Sequence, residues 1–341
     1  FLEGTIECGS VFKPFIYADS IEEGKYDHNA YYNSGSYNVY YGNKLVATIK
    51  DHNGGQGWGT ITYDQGLYHS SNVAICNLLD QGYVTKDVLT EKLNDLGFFQ
   101  GDTMDGLTCS SSINAYTRKN AGRLEYLTTG FGQGSTVTPY QLLKAYSVFG
   151  NDGKTVQPHI VDKVVNPETN KVVYQATPKY SKQIFSTNTI SQVKDLMLGV
   201  IEDEQGTGKT YRLDNDVRMI GKTGTGQVVE NGGYSTTLYM HSFVGIAPYD
   251  DPQVVMFLTF KSGDSYAQYM PNIVKQTMNE ALQVVNRYNA KNTTAVDQSC
   301  TLDSYTNQSV NYVKSKLESK SLSVQIIGNG SSVIEQYPLA K

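Results

Sequence analysis

No apolar run in this 341-residue chain is long enough to cross a bilayer. The longest, around Val254 to Phe260, falls far short of the ~20 residues that a spanning helix needs. A basic stripe is also missing. The chain sets 28 lysines and arginines against 33 acidic residues, for a net charge of −5, which excludes nucleic acid as an expected partner. Its four cysteines, at positions 8, 76, 109 and 300, are widely separated and form no CxxC pair. That spacing argues against a structural zinc site and a dense disulfide framework, and reads as isolated buried hydrophobes with a disulfide left open. The five histidines are scattered, so no metal or cofactor is expected. There is no initiator methionine and no signal-like start, so the chain is expected to be a fragment of something longer. The length itself suits one large domain with an appendage, or two to three ordinary ones.

What is present is an ordered set of three short motifs: SVFK at Ser10 to Lys13, SSN at Ser70 to Asn72, and KTGT at Lys222 to Thr225. Each is weak alone, because the chain holds two SxxK matches, five SxN matches and two Lys-Ser/Thr-Gly matches. Context selects among them. Ser10 follows Gly9 and opens a helix-like stretch, SVFKPFIYADSIEEG, whose first residues are mostly apolar. A serine at a helix start shows its hydroxyl beside unpaired backbone N–H groups, and Lys13 returns one turn later on the same face. Pro14 is tolerable because it falls in the first turn. The rival Ser191 sits in SQVKDLMLGVI, on the solvated face of an amphipathic helix. The rival Lys261 ends a strand and lacks the following threonine. GTGKT at Gly206 to Thr210 is not a phosphate loop, since its first glycine would fall at Asp203 and no strand-loop-helix context surrounds it.

Residues 25–69 are rich in Tyr, Asn and Gly and read as an elaborated loop region with strand-like pieces YNVYY and KLVATI. Helical patterns then dominate: VAICNLLDQG, TKDVLTEKLNDLG and TPYQLLKAYSVFGNDG, each closing near a glycine. After Asp216 the period changes. The runs VRMIGKTGTGQVV, HSFVGIAP and QVVMFLTFKSG predict an antiparallel sheet, followed by an amphipathic helix over 271–287. Residues 291–301 read as a linker between a main domain over 1–290 and a small module over 302–341. In that module we expect a short strand or turn near 302–305, a helix QSVNYVKSKLESKS, and strands LSVQIIG and SVIEQYP joined at Asn329-Gly330. About 40 residues are few for an independent core.

With the motifs placed, the chain resembles the transpeptidase region of class B penicillin-binding proteins that carry C-terminal PASTA modules. ECGSVFKPF is similar to that family's EPGSTFKPF, HSSNVA to its second-motif segment, and GFGQGSTVTPYQLLKAYSVFGNDG to its GYGQG stretch. GTGKTYRL through GKTGTGQ matches its approach to the third motif. Cys8 stands where proline is common and Gly226 where alanine is frequent, and neither change removes a reacting group. The resemblance implies an α+β fold of the penicillin-binding transpeptidase and serine β-lactamase type. This is an antiparallel sheet with helices on both faces and a helical subdomain, followed by an incomplete β-α-β-β PASTA-like module. It also implies that two sheet strands, a helix, a non-catalytic domain and a membrane anchor would precede this chain, with the strands cut away or supplied by another polypeptide.

The implied chemistry is serine acyl transfer. A serine hydroxyl needs a base within reach, and Lys13 can serve Ser10 only if desolvation and a neighbouring charge, assigned to Lys222, lower its pKa. The resemblance puts Ser70 between the lysines as a proton relay and gives Asn72 hydrogen bonds to Lys13 and to the substrate carbonyl. It gives the backbone N–H groups of Ser10 and Thr225 the oxyanion hole, and Thr223, Gly224, Thr225 and Gln227 the substrate. Strict strand alternation puts Lys222 opposite Thr223 and Thr225, so its inward aim belongs to the resemblance. The implied function is peptidoglycan D,D-transpeptidation on stem peptides and lipid-linked precursor, inhibited by β-lactams. Membrane glycosyltransferase and division or elongation proteins are expected partners, at the extracytoplasmic face of the membrane of a Gram-positive bacterium. Two alternatives are a β-lactam-hydrolysing or β-lactam-sensing enzyme, and a non-catalytic wall-binding protein. A lactamase would need a carboxylate four before Asn94, where Thr90 stands.

Overall fold

The computed structural model describes residues 1–214, 217–230, 233–293, 302–318 and 324–336. The chain divides into two compact units, Phe1–Val285 and Asn286–Lys341. The first is organised on an antiparallel sheet of three described strands, with Gly233–Ala247 between Ile220–Glu230 and Val254–Ser262. Strand alternation decides its packing. Phe243, Ala247, Val254, Met256 and Leu258 join one core with Met270, Val274, Met278 and Leu282 of the helix Met270–Thr293. Val244, Ile246, Val255 and Phe257 enter a larger core on the opposite face. The fourfold spacing of the helix residues makes a single apolar stripe, so the sheet is covered on both faces, as the fold class requires.

The larger core surrounds the segment carrying the first motif. The expected continuous helix is split: a 3₁₀ turn Gly9–Phe12 leads into the α-helix Lys13–Glu22, with Pro14 in its first turn. Residues 13–21 are all buried. Phe12, Phe15, Phe98, Tyr146 and Phe149 clamp its start, with neighbouring ring centroids 5.0–5.7 Å apart. Each such pair adds about 0.5–1.5 kcal/mol beyond its buried area. Tyr146 Oη donates to the Val11 carbonyl at 2.5 Å, fixing the turn from the side.

The other expected helices form as Asn72–Asp80, Lys86–Asp95, Pro139–Tyr146 and Thr187–Glu202. Ser71, Thr85, Thr138 and Ser186 cap them, each side chain accepting a backbone N–H of the first turn. Ser191 is exposed on the last of these, and Gly206 to Thr210 leads into a 3₁₀ turn, Lys209–Tyr211. YNVYY and KLVATI form the hairpin Ser36–Tyr41 and Lys44–Lys50. Cys8, Cys76 and Cys109 are buried free thiols, and Cys300 lies outside the described residues.

In the second unit the helix Val310–Glu318 forms as expected, with Tyr305 and Val313 buried. The two expected strands do not form in the described residues 324–336; a single bridge, Ser309 to Ser332, stands there. Ile327 is 91% exposed and Ile334 88%, so among the described residues nothing covers the alternating pattern, and an isolated hairpin is marginal in water. Most of the expected linker, 294–301, lies outside the described residues.

Asp19 is an exception inside the larger core. It is fully buried on the helix Lys13–Glu22, and among the described residues neither carboxyl oxygen has a hydrogen-bond partner. Burial pushes its pKa well up, against the opposing pull of Lys92. The folded chain therefore keeps this proton to higher pH than the unfolded chain. Its contribution is complete below the unfolded value near ~3.9 and is lost as pH rises through the folded value. In urea unfolding, Asp19→Asn is expected to gain at least ~1 kcal/mol on wild type at pH 8 relative to pH 5. Parallel behaviour of the two proteins at both pH values would contradict a buried protonated acid.

Candidate active site

The turn Gly9–Phe12, which carries Ser10, packs against the inward face of the edge strand Ile220–Glu230. Lys222, Gly224 and Gly226 are buried on that face, while Thr225 and Gln227 point outward and are exposed. A Cβ at Gly224 would come within 3.0 Å of the Cys8 carbonyl oxygen, and one at Gly226 within 2.6 Å of that of Glu7. Gly9 has φ +62°, and a Cβ there would lie 3.0 Å from the Thr225 carbonyl. From the other side, the Gly9 amide donates to the Gly132 carbonyl at 3.0 Å. Three missing side chains thus bring the backbone of Ser10 beside that of Thr225. Lys222 shares the inward face with Gly224 and Gly226, opposite Thr223 and Thr225, so alternation and the inward aim of this lysine agree.

The second motif enters from a tight corner. Ser70 is buried and takes the left-handed φ of +58° between the helix Tyr63–Tyr68 and the helix Asn72–Asp80. That corner places its Oγ between two amines. Lys222 Nζ donates to Ser70 Oγ at 2.8 Å and to the Thr223 carbonyl at 3.0 Å. Lys13 Nζ donates to Ser70 Oγ at 3.3 Å and to the Ser70 carbonyl at 2.5 Å. Both lysines are 0% exposed.

Burial lowers the Lys13 pKa to about 7, against the opposing pull of Asp51. Lys222 is pushed well below its ordinary range, first by burial and then by the charge of Lys13. The sequence reading gave desolvation and the charge of Lys222 as the two causes that depress Lys13; in the structure burial is the leading cause for both lysines, and their charges oppose one another. The pair titrates as a unit and does not hold two protons at neutral pH. An amine freed of its proton near pH 7, in contact with a serine hydroxyl, is a base ready to move protons.

Asn72 departs from expectation. Its Nδ2 donates to the Lys50 carbonyl at 2.9 Å, with no bond to Lys13, because it is the first residue of its helix and turns toward the hairpin strand Lys44–Lys50. Thr223 Oγ1 donates to Thr207 Oγ1 at 2.9 Å. Sequence reasoning missed Asp51, a 1% exposed carboxylate that accepts from Gly35 N, Ser71 Oγ, Asn72 N and Val73 N. Sequence reasoning also missed Trp58, the single tryptophan, which stacks on His69 at 4.3 Å just before Ser70. A lone Asp and a lone Trp in a Gly-rich turn carry no periodic signal; only their separation of about 20 and 12 residues from the motif hints at a supporting loop.

The site thus sets a buried lysine pair sharing one serine beside a turn that carries a second serine and an edge strand. The family follows from the comparison: residues 1–283 match the penicillin binding protein transpeptidase domain, and the chain belongs to that family. Stage V sporulation protein D of Bacillus subtilis (strain 168) is 29% identical over 98% of this chain and 52% of its own length. A probable peptidoglycan D,D-transpeptidase, PenA, of Neisseria flavescens is 26% identical over 82% of this chain and 65% of its own. The structure of penicillin binding protein 2X from Streptococcus thermophilus shares the fold, with a TM-score of 0.73 and 22% identity. That match covers 98% of this chain and 50% of the other. The chain spans 44–65% of the length of the curated relatives it first matches.

Two glycines in the GFGQG loop test the packing of the nucleophile turn. Gly132 has φ +78° and a Cβ there would sit 2.1 Å from the Gly9 carbonyl oxygen; Gly134 has φ +76° with its nearest neighbour 3.5 Å away. Gly134→Ala is expected to cost about 1–2 kcal/mol, the strain of a left-handed residue. Gly132→Ala must also displace backbone and is expected to cost several kcal/mol more, read as denaturation midpoints. Equal costs would mean that Gly132 does not abut the Ser10 turn.

Proposed function

We propose that this chain is the catalytic part of a peptidoglycan D,D-transpeptidase working through a serine acyl-enzyme. The observation that carries the reading is Ser70 Oγ held between Lys222 and Lys13, with the Ser10 turn packed on the KTGT strand. Ser10 Oγ attacks the carbonyl carbon of a stem peptide ending in D-Ala-D-Ala, and Lys13 takes its proton. Ser70 relays a proton to the departing D-Ala amine. The acyl-enzyme is then resolved by an amine from a neighbouring strand, which returns the proton through the same groups.

The backbone N–H groups of Ser10 and Thr225 form the oxyanion hole, where losing one donor typically costs about 2.7–4 kcal/mol. The substrate's extended peptide runs along the edge strand, its carboxylate on the Thr223 and Thr225 hydroxyls, with Gly224 allowing close approach, Gln227 further along, and Asn72 on the peptide carbonyl. β-Lactams acylate Ser10 and stay bound. Against hydrolysis of the antibiotic, the helix Lys86–Asp95 offers Thr90, whose Oγ1 donates to the Lys86 carbonyl, where a lactamase needs a carboxylate. The intact Ser10, Lys13 and Lys222 weigh against a purely wall-binding role.

The division into 1–290, a linker over 291–301 and a PASTA-like module over 302–341 remains our reading of the chain. The enzyme works at the extracytoplasmic face of the cell membrane, with lipid-linked precursor, a membrane glycosyltransferase and division or elongation proteins as partners. The Gram-positive assignment rests on the PASTA-like tail alone. No helix among the described residues is long and apolar enough to cross a membrane.

Incubation with a fluorescent penicillin is expected to give one stable covalent label on wild type and none on Ser10→Ala. Equal labelling of both proteins, or rapid turnover of the antibiotic, would overturn the transpeptidase reading. The labelling rate is expected to rise as pH climbs through about 7, where Lys13 loses its proton, and to fall roughly tenfold per pH unit below it. A flat profile between pH 5 and 7 would remove Lys13 as the base.

A further inference from the structure

Asp51 ends the hairpin strand Lys44–Lys50, about 20 residues before the SSN motif, and its carboxylate points into the corner that the motif makes. Oδ1 accepts from Ser71 Oγ at 2.9 Å, Asn72 N at 2.7 Å and Val73 N at 3.1 Å, and Oδ2 accepts from Gly35 N at 2.8 Å. Among the described residues no lysine or arginine forms an ion pair with it, so these four donors and the N-terminus of the helix Asn72–Asp80 hold the charge.

We propose that Asp51 is a positioning residue for the acyl-transfer reaction: its buried carboxylate locks the corner that keeps Ser70 Oγ between Lys13 and Lys222. This inference rests on the acyl-transfer reading above. Ser70 stands at φ +58°, a left-handed conformation that strains a non-glycine residue and persists only where its surroundings hold it. The residues held by Asp51 are the next three along the chain. Ser71 is gripped twice, since its Oγ also caps the helix by accepting from Ala74 N at 3.0 Å.

The groups facing Lys13 are few. Lys222 comes from the edge strand, Cys76 from the helix Asn72–Asp80, and Asp51 and His52 from the hairpin end. The Cys76 thiol is driven up by burial and holds no charge near neutral pH, and burial pushes His52 toward its neutral form. Asp51 is the anion that draws a proton back to Lys13. Removing its charge therefore moves the point at which Lys13 becomes a base to lower pH.

The test compares fluorescent-penicillin labelling rates of wild type, Asp51→Asn and Asp51→Glu from pH 5 to 9, normalised to the folded fraction. Asp51→Asn is expected to lose at least tenfold in the plateau rate while its acid limb moves down by roughly 0.5–1 pH unit. Asp51→Glu keeps the charge and shifts its position, so its plateau falls while the limb stays near the wild-type pH. A loosened fold would lose amplitude without moving the limb. An unmoved limb in Asp51→Asn, or a wild-type plateau in Asp51→Glu, overturns the role of Asp51. If Asp51→Asn does not fold, the Asp51→Glu plateau decides. No label on wild type overturns the acyl-transfer reading and this role with it, whereas labelled wild type with an unchanged variant overturns this role alone.

Discussion

Lys13 and Lys222 converge on one serine oxygen, at 3.3 and 2.8 Å, in a place that solvent does not reach. Two ammonium groups held so close without water cost several kcal/mol each, and the molecule answers by giving up protons. A lysine that is useless as a base on a surface becomes one here, near neutral pH. The dryness of this spot is the condition on which the chemistry depends, and the rest of the first unit can be understood as the means of keeping it dry.

Three walls do so. The aromatic cluster around Phe15 closes the helix side, and the sheet, covered on both faces, closes the floor. The third wall is polar. Asp51 and its four donors close the corner at Ser70. A buried carboxylate is tolerated where donors satisfy both its oxygens, as they do here. Asp19, a few residues along the same helix as Lys13, shows the contrary case: an acid that burial has left without partners among the described residues.

Much of this was legible in the sequence, for specific reasons. Ser10, Lys13, Ser70 and Lys222 lie within short motifs of fixed order; the structure brings Lys13, Ser70 and Lys222 together and packs the backbone of the Ser10 turn on the KTGT strand. The capped helices and the three strands follow from side-chain period and cap chemistry, which are local. What failed was not local. The bond expected between Asn72 and Lys13 is replaced by one to Lys50, because the direction of a side chain at a helix start depends on what packs beside it. Asp51 was invisible because a carboxylate that caps a helix from a distant strand leaves no spacing to read. The strands expected around Ile327 and Ile334 had the right alternation but no neighbour among the described residues to cover them.

Glycine at the two inward steps that follow Lys222, Gly224 and Gly226, binds the edge strand so closely to residues 7–11 that neither position leaves space for a side chain. Beside the Ser10 turn, room for variation in that strand lies on its outward face, at Thr223, Thr225 and Gln227. Escape from an antibiotic by changes in this strand would therefore have to pass through the same side chains proposed to hold the natural substrate. Under the transpeptidase reading, a change that excludes the antibiotic there would disturb the hold on the substrate as well.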